Sequence, residues 1–313
     1  MSNLADLGYF FDDQGVLRTK EDNEKFKFTT QEAYETLGEA VDEEIFNLLE
    51  TRCGLERKVL KPAGIEGDDE DFSFYFASKN LKTAETMLIL MHGSGVVRAG
   101  QWARRLIINE NLECGTQIPY VERALKLGWA VVVMNTNANG TDQQEFKFSR
   151  TPEEHAEMVF KMCVGGAKLK SVYVVAHSRG GYDLSAALKR NGSDDRIQKI
   201  CLTDSPWFRF PKSCEERKTP LYVFNFLARG KYSSSEYEVH EYQAGRVTDL
   251  YAGTKIHEWS SHMAIDAVFK IFETELNESN FVETVNEAKY LVLHGKEKED
   301  VESDEPSVKK MKQ

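Results

Sequence analysis

The residue best placed to do chemistry is Ser178, in the stretch SVYVVAHSRGGYDLSAALKR. A run of β-branched and aromatic residues ends in a serine between small residues, and a helix-like segment follows. Ala176-His177-Ser178-Arg179-Gly180 approximates the nucleophile elbow G-x-S-x-G. That motif needs small residues two before and two after the serine, because the strand turns so sharply into a helix that larger side chains would collide. Ala176 stands where the first glycine is usual, while Gly180 and Gly181 keep the rest. On one reading Ser178 is a nucleophile. On the plainer one its hydroxyl only caps the helix that follows.

A nucleophilic serine needs a base, and the base needs an orienting carboxylate. Hydrolases with this elbow order the three as serine, acid, histidine along the chain. His257, in AGTKIHEWSSH, comes late enough to be the base, and His262 competes with it but sits where it would pack or cap the next helix. His177 adjoins Ser178 and is expected to point elsewhere, since neighbours at a sharp turn diverge. For the acid, Asp204 ends the segment KICLTD directly after the elbow helix. Glu236, in YSSSE, is the alternative. Asp204 also fits a capping role in TDSP. A glycine-rich turn, His92-Gly93-Ser94-Gly95, follows the apolar run TMLILM. Backbone amides at Gly93, Ser94 and Gly95, with that of Arg179, would form an oxyanion hole, since glycine lets backbone approach a developing anion. The plainer reading is a crowded strand end that needs small residues.

The elements that must carry these residues can be read from periodicity. GYFFDDQGVLRTKEDNEKFKF reads as strand, turn, strand, and TTQEAYETLGEAVDEEIFNLLETRCG as a helix with a Thr29/Glu32 capping box. LERKVLKP and DFSFYFAS read as neighbouring strands. TMLILM, WAVVVMNTN, SVYVVA, KICLTD and LYVFNFLA are buried runs suited to a parallel sheet. IPYVERALKLG and TPEEHAEMVFKMCV are helical, the second with Thr151 as cap, Pro152 at its first position and Glu154 completing a box. HMAIDAVFKIFETELN reads as the final helix. Buried strands alternating with helices predict an α/β fold, a mainly parallel sheet covered by helices on both faces. The expected organisation is one domain over residues 1–294, with a hairpin and helix (1–54) packed on it, and a disordered charged tail over 295–313. VVRAGQWARRLIIN places Arg98, Arg104 and Arg105 around Trp102, either to bind an anion or an acidic partner segment, or to pair with nearby acids such as Glu110.

Composition narrows the classes. A formal net charge of −11 disfavours direct, non-specific nucleic-acid binding, which needs a dense basic surface. The five cysteines form no CxxC pair and read as reduced thiols. No metal-ligand spacing, phosphate loop or cofactor motif is present, so no cofactor and no metal are expected. The first residues lack a basic start followed by an apolar run, and no apolar stretch approaches the roughly 20 residues of a membrane helix.

Several stretches together carry a family resemblance: FDDQGVLR, HGSGVVRAGQWARRLIINENLECGTQIPY, TPEEHAEMVF, VAHSRGG, LTDS and AGTKIHEW. From about Leu7 to Glu275 the chain resembles the Argonaute-binding-protein-two (Arb-two) domain family, and within it the animal branch of cotranscriptional regulators. The resemblance implies an α/β-hydrolase-like fold. It also implies a nuclear and cytoplasmic protein partnered with Argonaute and with chromatin or splicing proteins, acting in small-RNA silencing and alternative splicing. Fungal members of the family are Argonaute partners, and a similar domain is attached to some histone deacetylases. The serine, histidine and acid pattern maps onto Ser178, His257 and Asp204. Whether the family hydrolyses an ester, thioester or amide is left open by the resemblance. The chain departs from the animal pattern in a short connection after Asn135 and in the ending KKMKQ, which is unlike an endoplasmic-reticulum-retention sequence.

Overall fold

Two hydrophobic periods build the molecule. Strands whose residues alternate between two buried faces form its middle, and helices with one apolar stripe cover them. The structure is a computed structural model that describes residues 3–165, 168–206, 208–228 and 237–295. The expected tail, beyond Gly295, lies outside the described residues, as does Glu236.

The chain opens with a small antiparallel hairpin, β1 (Tyr9–Phe11) and β2 (Leu17–Thr19), followed by α1 (Gln31–Thr51). The α1 cap is Thr30, whose side chain accepts from Ala33 N, and not Thr29. Thr30 keeps extended backbone, so the helix starts one residue later than the box pattern suggests. Then come β3 (Glu56–Val59), β4 (Phe74–Ala77) and β5 (Thr86–Met91), the short helices α2 (Arg104–Asn109) and α3 (Leu112–Gly115), α4 (Ile118–Lys126) and β6 (Ala130–Val133). The second half holds α5 (Pro152–Val164), β7 (Ser171–His177), α6 (Gly180–Asn191), β8 (Ile197–Thr203), β9 (Leu221–Leu227), β10 (Tyr237–Tyr242), β11 (Gly245–Tyr251), α7 (Ser260–Glu273) and α8 (Phe281–His294). At α5 Thr151 accepts from Glu154 N as expected, but the Glu154 carboxylate reaches back to Arg150 N rather than closing the box on Thr151.

Nine strands form the main sheet in the order β10-β11-β9-β8-β7-β5-β6-β4-β3. The pairs from β6 through β5, β7, β8 and β9 to β11 are parallel, while β3, β4 and β10 join antiparallel. This is an α/β-hydrolase-like sheet with an N-terminal hairpin and helix beside it. Alternation assigns the faces: in β5, Leu88 and Leu90 enter one core, and Met87, Ile89 and Met91 the other. Helices α1, α4, α7 and α8 cover the first face, and α5 and α6 the second. A third cluster joins the hairpin, α1 and α2 through Leu17, Val41, Ile45, Ile107 and Leu112.

Two segments differ from expectation. The helix over HMAIDAVFKIFETELN is not the last, because α8 follows and buries Phe281, Val285, Ala288 and Val292 on the same core. The β10–β11 pair also extends the sheet beyond the fifth buried run. Its strands are half-exposed and polar, so they lack the apolar signature of a buried strand. Phe269 of α7 is fully buried, stacks on Trp129 at 5.9 Å and lies under the Arg123 guanidinium. Phe269→Ala should therefore destabilise the fold by about 3–5 kcal/mol, read as a lowered urea midpoint with an unchanged slope.

Candidate active site

Strand order sets the location. β5 lies between β6 and β7, so the chain leaves β5 toward one face and leaves β7 toward the other. The crevice that opens between such diverging loops, at the carboxyl ends of the strands, is where open α/β sheets bind ligands. Here it brings the turn after β5 against the elbow after β7.

Ser178 occupies the elbow with φ +52°, left-handed backbone that few non-glycine residues adopt. The small neighbours are required by contact. A Cβ at Gly180 would stand 2.6 Å from His92 O, and one at Gly181 2.1 Å from Ser205 Oγ. Ala176 is fully buried and its methyl is accommodated, which explains the missing first glycine. A Cβ at Gly93 would lie 3.0 Å from Ser178 Cβ, so the glycine-rich turn sits directly over the serine.

Asp204 and His257 meet as expected. His257 Nδ1 lies 2.6 Å from Asp204 Oδ2, and Asp204 Oδ1 accepts from Ala228 N at 3.1 Å. Asp204 is also left-handed, with φ +48°, and its amide donates to Phe226 O. Burial would raise this carboxyl, but the hydrogen bonds from His257 and the Ala228 amide outweigh it and hold it below the usual carboxylate range. With Nδ1 engaged by Asp204, Nε2 is the ring nitrogen of His257 left available for proton transfer. The described hydrogen bonds include none from Ser178 Oγ to His257, a contact that often tightens only when substrate binds. Glu236 lies outside the described residues.

The turn after β5 is a row of free donors. Among the described residues, none of the amides of Gly93, Ser94, Gly95, Val96, Val97 and Arg98 donates a hydrogen bond. Neither does the amide of Arg179, at the start of α6. The carbonyls of this turn are instead tied back. Asn137 Nδ2 donates to Gly93 O, Gly95 O and Val97 O at 2.9, 3.1 and 3.1 Å. Asn135 Oδ1 accepts from Ala99 N. These asparagines were not singled out from the sequence. The signal was there in NTNAN, three amide side chains directly after a buried strand.

A layer of uncharged histidines underlies the site. His177 turns away from Ser178, donates to Thr203 O at 2.9 Å and packs its ring 4.6 Å from that of His257. His155 lies between Ser149 Oγ and Asn135 N, and His92 lies against Gly93 O. Burial pushes all three down, His92 to about 4 and His155 and His177 to about 3. On α6, Asp183 is buried beside Arg179, and burial pushes it up to about 7 despite that cation.

The arginines of VVRAGQWARRLIIN do not pair with Glu110. Arg104 is buried on Asp42 of α1, and Arg105 reaches Glu258, next to His257, at 4.0 Å. Asp42 lies on the helix that packs over this segment, a partner that sequence proximity could not reveal. His262 packs on Trp259 at the start of α7 and lies 3.9 Å from Cys114 Sγ. Among the described residues no group of three His, Cys, Asp or Glu is placed to hold a metal ion, and no helix is long and apolar enough to cross a membrane.

A family model described as the Arb2 domain matches residues 1–228. A FAM172 family protein homolog of Caenorhabditis elegans is 62% identical over 99% of this chain and 99% of its own. A cotranscriptional regulator ARB2A homolog of Xenopus tropicalis is 31% identical, covering 88% of this chain and 80% of its own. Among solved structures, a histone deacetylase from Saccharomyces cerevisiae aligns at TM-score 0.47 and 10% identity, over 81% of this chain and 98% of its own. Est1E from Butyrivibrio proteoclasticus aligns at TM-score 0.40 and 13% identity, over 69% and 97%.

The histidine layer makes stability depend on pH. Each of these imidazoles binds its proton less readily folded than unfolded, so its contribution is complete above the ordinary value of 6.5 and is lost as pH falls toward 4 and 3. Asp183 acts in the opposite sense, stabilising at low pH and losing that contribution as pH rises from 3.8 to about 7. Three histidines outweigh one carboxyl. Urea unfolding should show stability falling from about pH 6.5 to about pH 4, and His177→Phe should flatten that slope.

Proposed function

Because the chain belongs to the Arb2 domain family, we propose that it works as a cotranscriptional regulator, as its named relatives do. The similarity to the Xenopus tropicalis regulator, which runs through 88% of this chain, carries this reading. In this role the protein acts in the nucleus, with a further cytoplasmic pool. Its partners are Argonaute and chromatin or splicing proteins, and its outputs are alternative splicing and small-RNA silencing. The α/β-hydrolase-like scaffold supplies a rigid surface for such partners, and fold alone says nothing about turnover.

A second reading is a serine hydrolase acting on an ester, thioester or amide. The specific observation in its favour is the 2.6 Å contact of His257 with Asp204 beside a left-handed Ser178. In this mechanism Ser178 Oγ attacks the acyl carbon while His257 Nε2 takes its proton. Asp204 stabilises the imidazolium, and the tetrahedral oxyanion accepts hydrogen bonds from the Arg179 amide and from the turn at Gly93, Ser94 and Gly95. Collapse expels the leaving group with the proton from His257. Water then attacks the acyl-serine by the reverse sequence, releasing the acid and restoring Ser178.

One pair of proteins tests both readings. Wild type and Ser178→Ala are compared for labelling by a fluorophosphonate probe and for Argonaute recovery in pull-downs from cell extract. The expected result is labelling of wild type alone, with equal Argonaute recovery from both. Labelling should also drop roughly a hundredfold or more in Asp204→Asn, which loses the Nδ1 proton orientation. A wild type that never labels removes the hydrolase reading. No Argonaute recovery, with splicing and silencing unchanged in cells lacking the protein, removes the regulator reading.

A further inference from the structure

The turn over Ser178 is held from two sides. From the β6 side, Asn137 gathers the carbonyls of Gly93, Gly95 and Val97. From the other side, Arg104 Nη2 donates to Val96 O at 2.7 Å. The same nitrogen lies 2.9 and 2.7 Å from the two carboxylate oxygens of Asp42, in α1. Gln101 Nε2 adds a second donor to Asp42 at 2.6 Å. The ion pair is buried, with side chains 7% and 12% exposed.

Space has been cleared for this contact. A Cβ at Gly38 of α1 would stand 2.6 Å from Arg104 Nη1, so the glycine leaves room for the guanidinium against the helix. Gly100, at φ +85°, brings the end of the same turn against α1, where a Cβ would meet Ile45 Cγ2 at 2.6 Å. The Val96 side chain is 55% exposed and adds nothing to the core. The bond to its carbonyl therefore fixes the shape of the turn rather than its packing.

We propose that the Asp42–Arg104 ion pair is a positioning strut, through which α1 holds the oxyanion turn in the form that Ser178 chemistry requires. This rests on the hydrolase reading of the site. Arg104 and Asp42 touch no reacting atom. They act by tying down the Val96 carbonyl, so that the turn keeps one shape with its neighbouring amides left as unused donors. The contacts of Arg104 with Asp42 and Val96 O are all made by Nη2 at the tip of the guanidinium, one bond farther from the backbone than a lysine Nζ reaches. The hairpin and α1 thereby become part of the site's machinery, although no residue of theirs lines the triad.

Removing one partner alone leaves a buried charge and endangers the fold. The decisive variant is therefore the double replacement Asp42→Asn with Arg104→Met, which removes both charges together and keeps an amide oxygen at position 42 to accept from Gln101 Nε2. Three quantities are compared with wild type: the urea midpoint, the backbone order parameters of Gly95 and Val96 by nitrogen-15 relaxation, and the fluorophosphonate labelling rate of Ser178. The expected double variant keeps its midpoint, shows order at Gly95 and Val96 falling below about 0.6, and labels about tenfold more slowly or worse. Arg104→Lys should lie between the two. A folded double variant with wild-type order and labelling would overturn the strut, and so would a loosened turn that labels at the wild-type rate. If the wild type takes no probe, the hydrolase reading fails, and the order parameters alone decide whether the ion pair holds the turn.

Discussion

The site depends on one backbone constraint, the left-handed conformation of Ser178 between β7 and α6. A strand fully buried on both faces must reverse into a helix within a residue or two, and the serine at the apex bears the strain. Such strain costs on the order of 1–3 kcal/mol and persists only where the surroundings over-determine it. The surroundings here are close contacts: Gly180 under His92 O, Gly181 against Ser205, and Gly93 over Ser178 itself. Replacing Gly180 or Gly93 would push the elbow and the turn after β5 apart, and replacing Gly181 would push the elbow off the segment after β8.

Charge is confined around that elbow. Ionised Asp204 faces His257, while His92, His155 and His177 beneath stay neutral because burial penalises their protonated forms. An uncharged layer leaves the Asp204 carboxylate as the strongest field on His257, and it lets the His177 ring pack on His257 without repulsion. The amides of the turn and of Arg179 donate no hydrogen bond within the chain, and the turn lies against Ser178 through Gly93. Unused donors beside a carboxylate–imidazole pair suit a charge that develops near them.

The same arrangement fits a regulator. A rigid scaffold whose site is assembled from loops and helices distant in sequence offers partners a defined surface, and the tie between α1 and the turn connects the N-terminal face to the cleft.

Local pattern in the sequence was enough for the sheet, because buried strands announce themselves as continuous apolar runs and the elbow as a serine among small residues. It was enough to bring Asp204 and His257 together, since strand–turn–helix grammar fixes which ends of which strands can meet. It fell short where signals were weak or partners remote. The polar β10–β11 pair and the last helix, α8, lack a buried-strand or final-helix signature, and the cap at Thr30 and the bond from Arg150 N to the Glu154 carboxylate each fall one residue from the pattern. Glu110 was the nearest acid to the arginines by number, yet Asp42 is the one that α1 packs against Arg104. The same holds for Asn137, whose three carbonyl acceptors lie 40 to 44 residues away. Sequence determined which residues are candidates for chemistry. Only tertiary structure decided what holds them, because the holding bonds join segments that meet nowhere but in the folded chain.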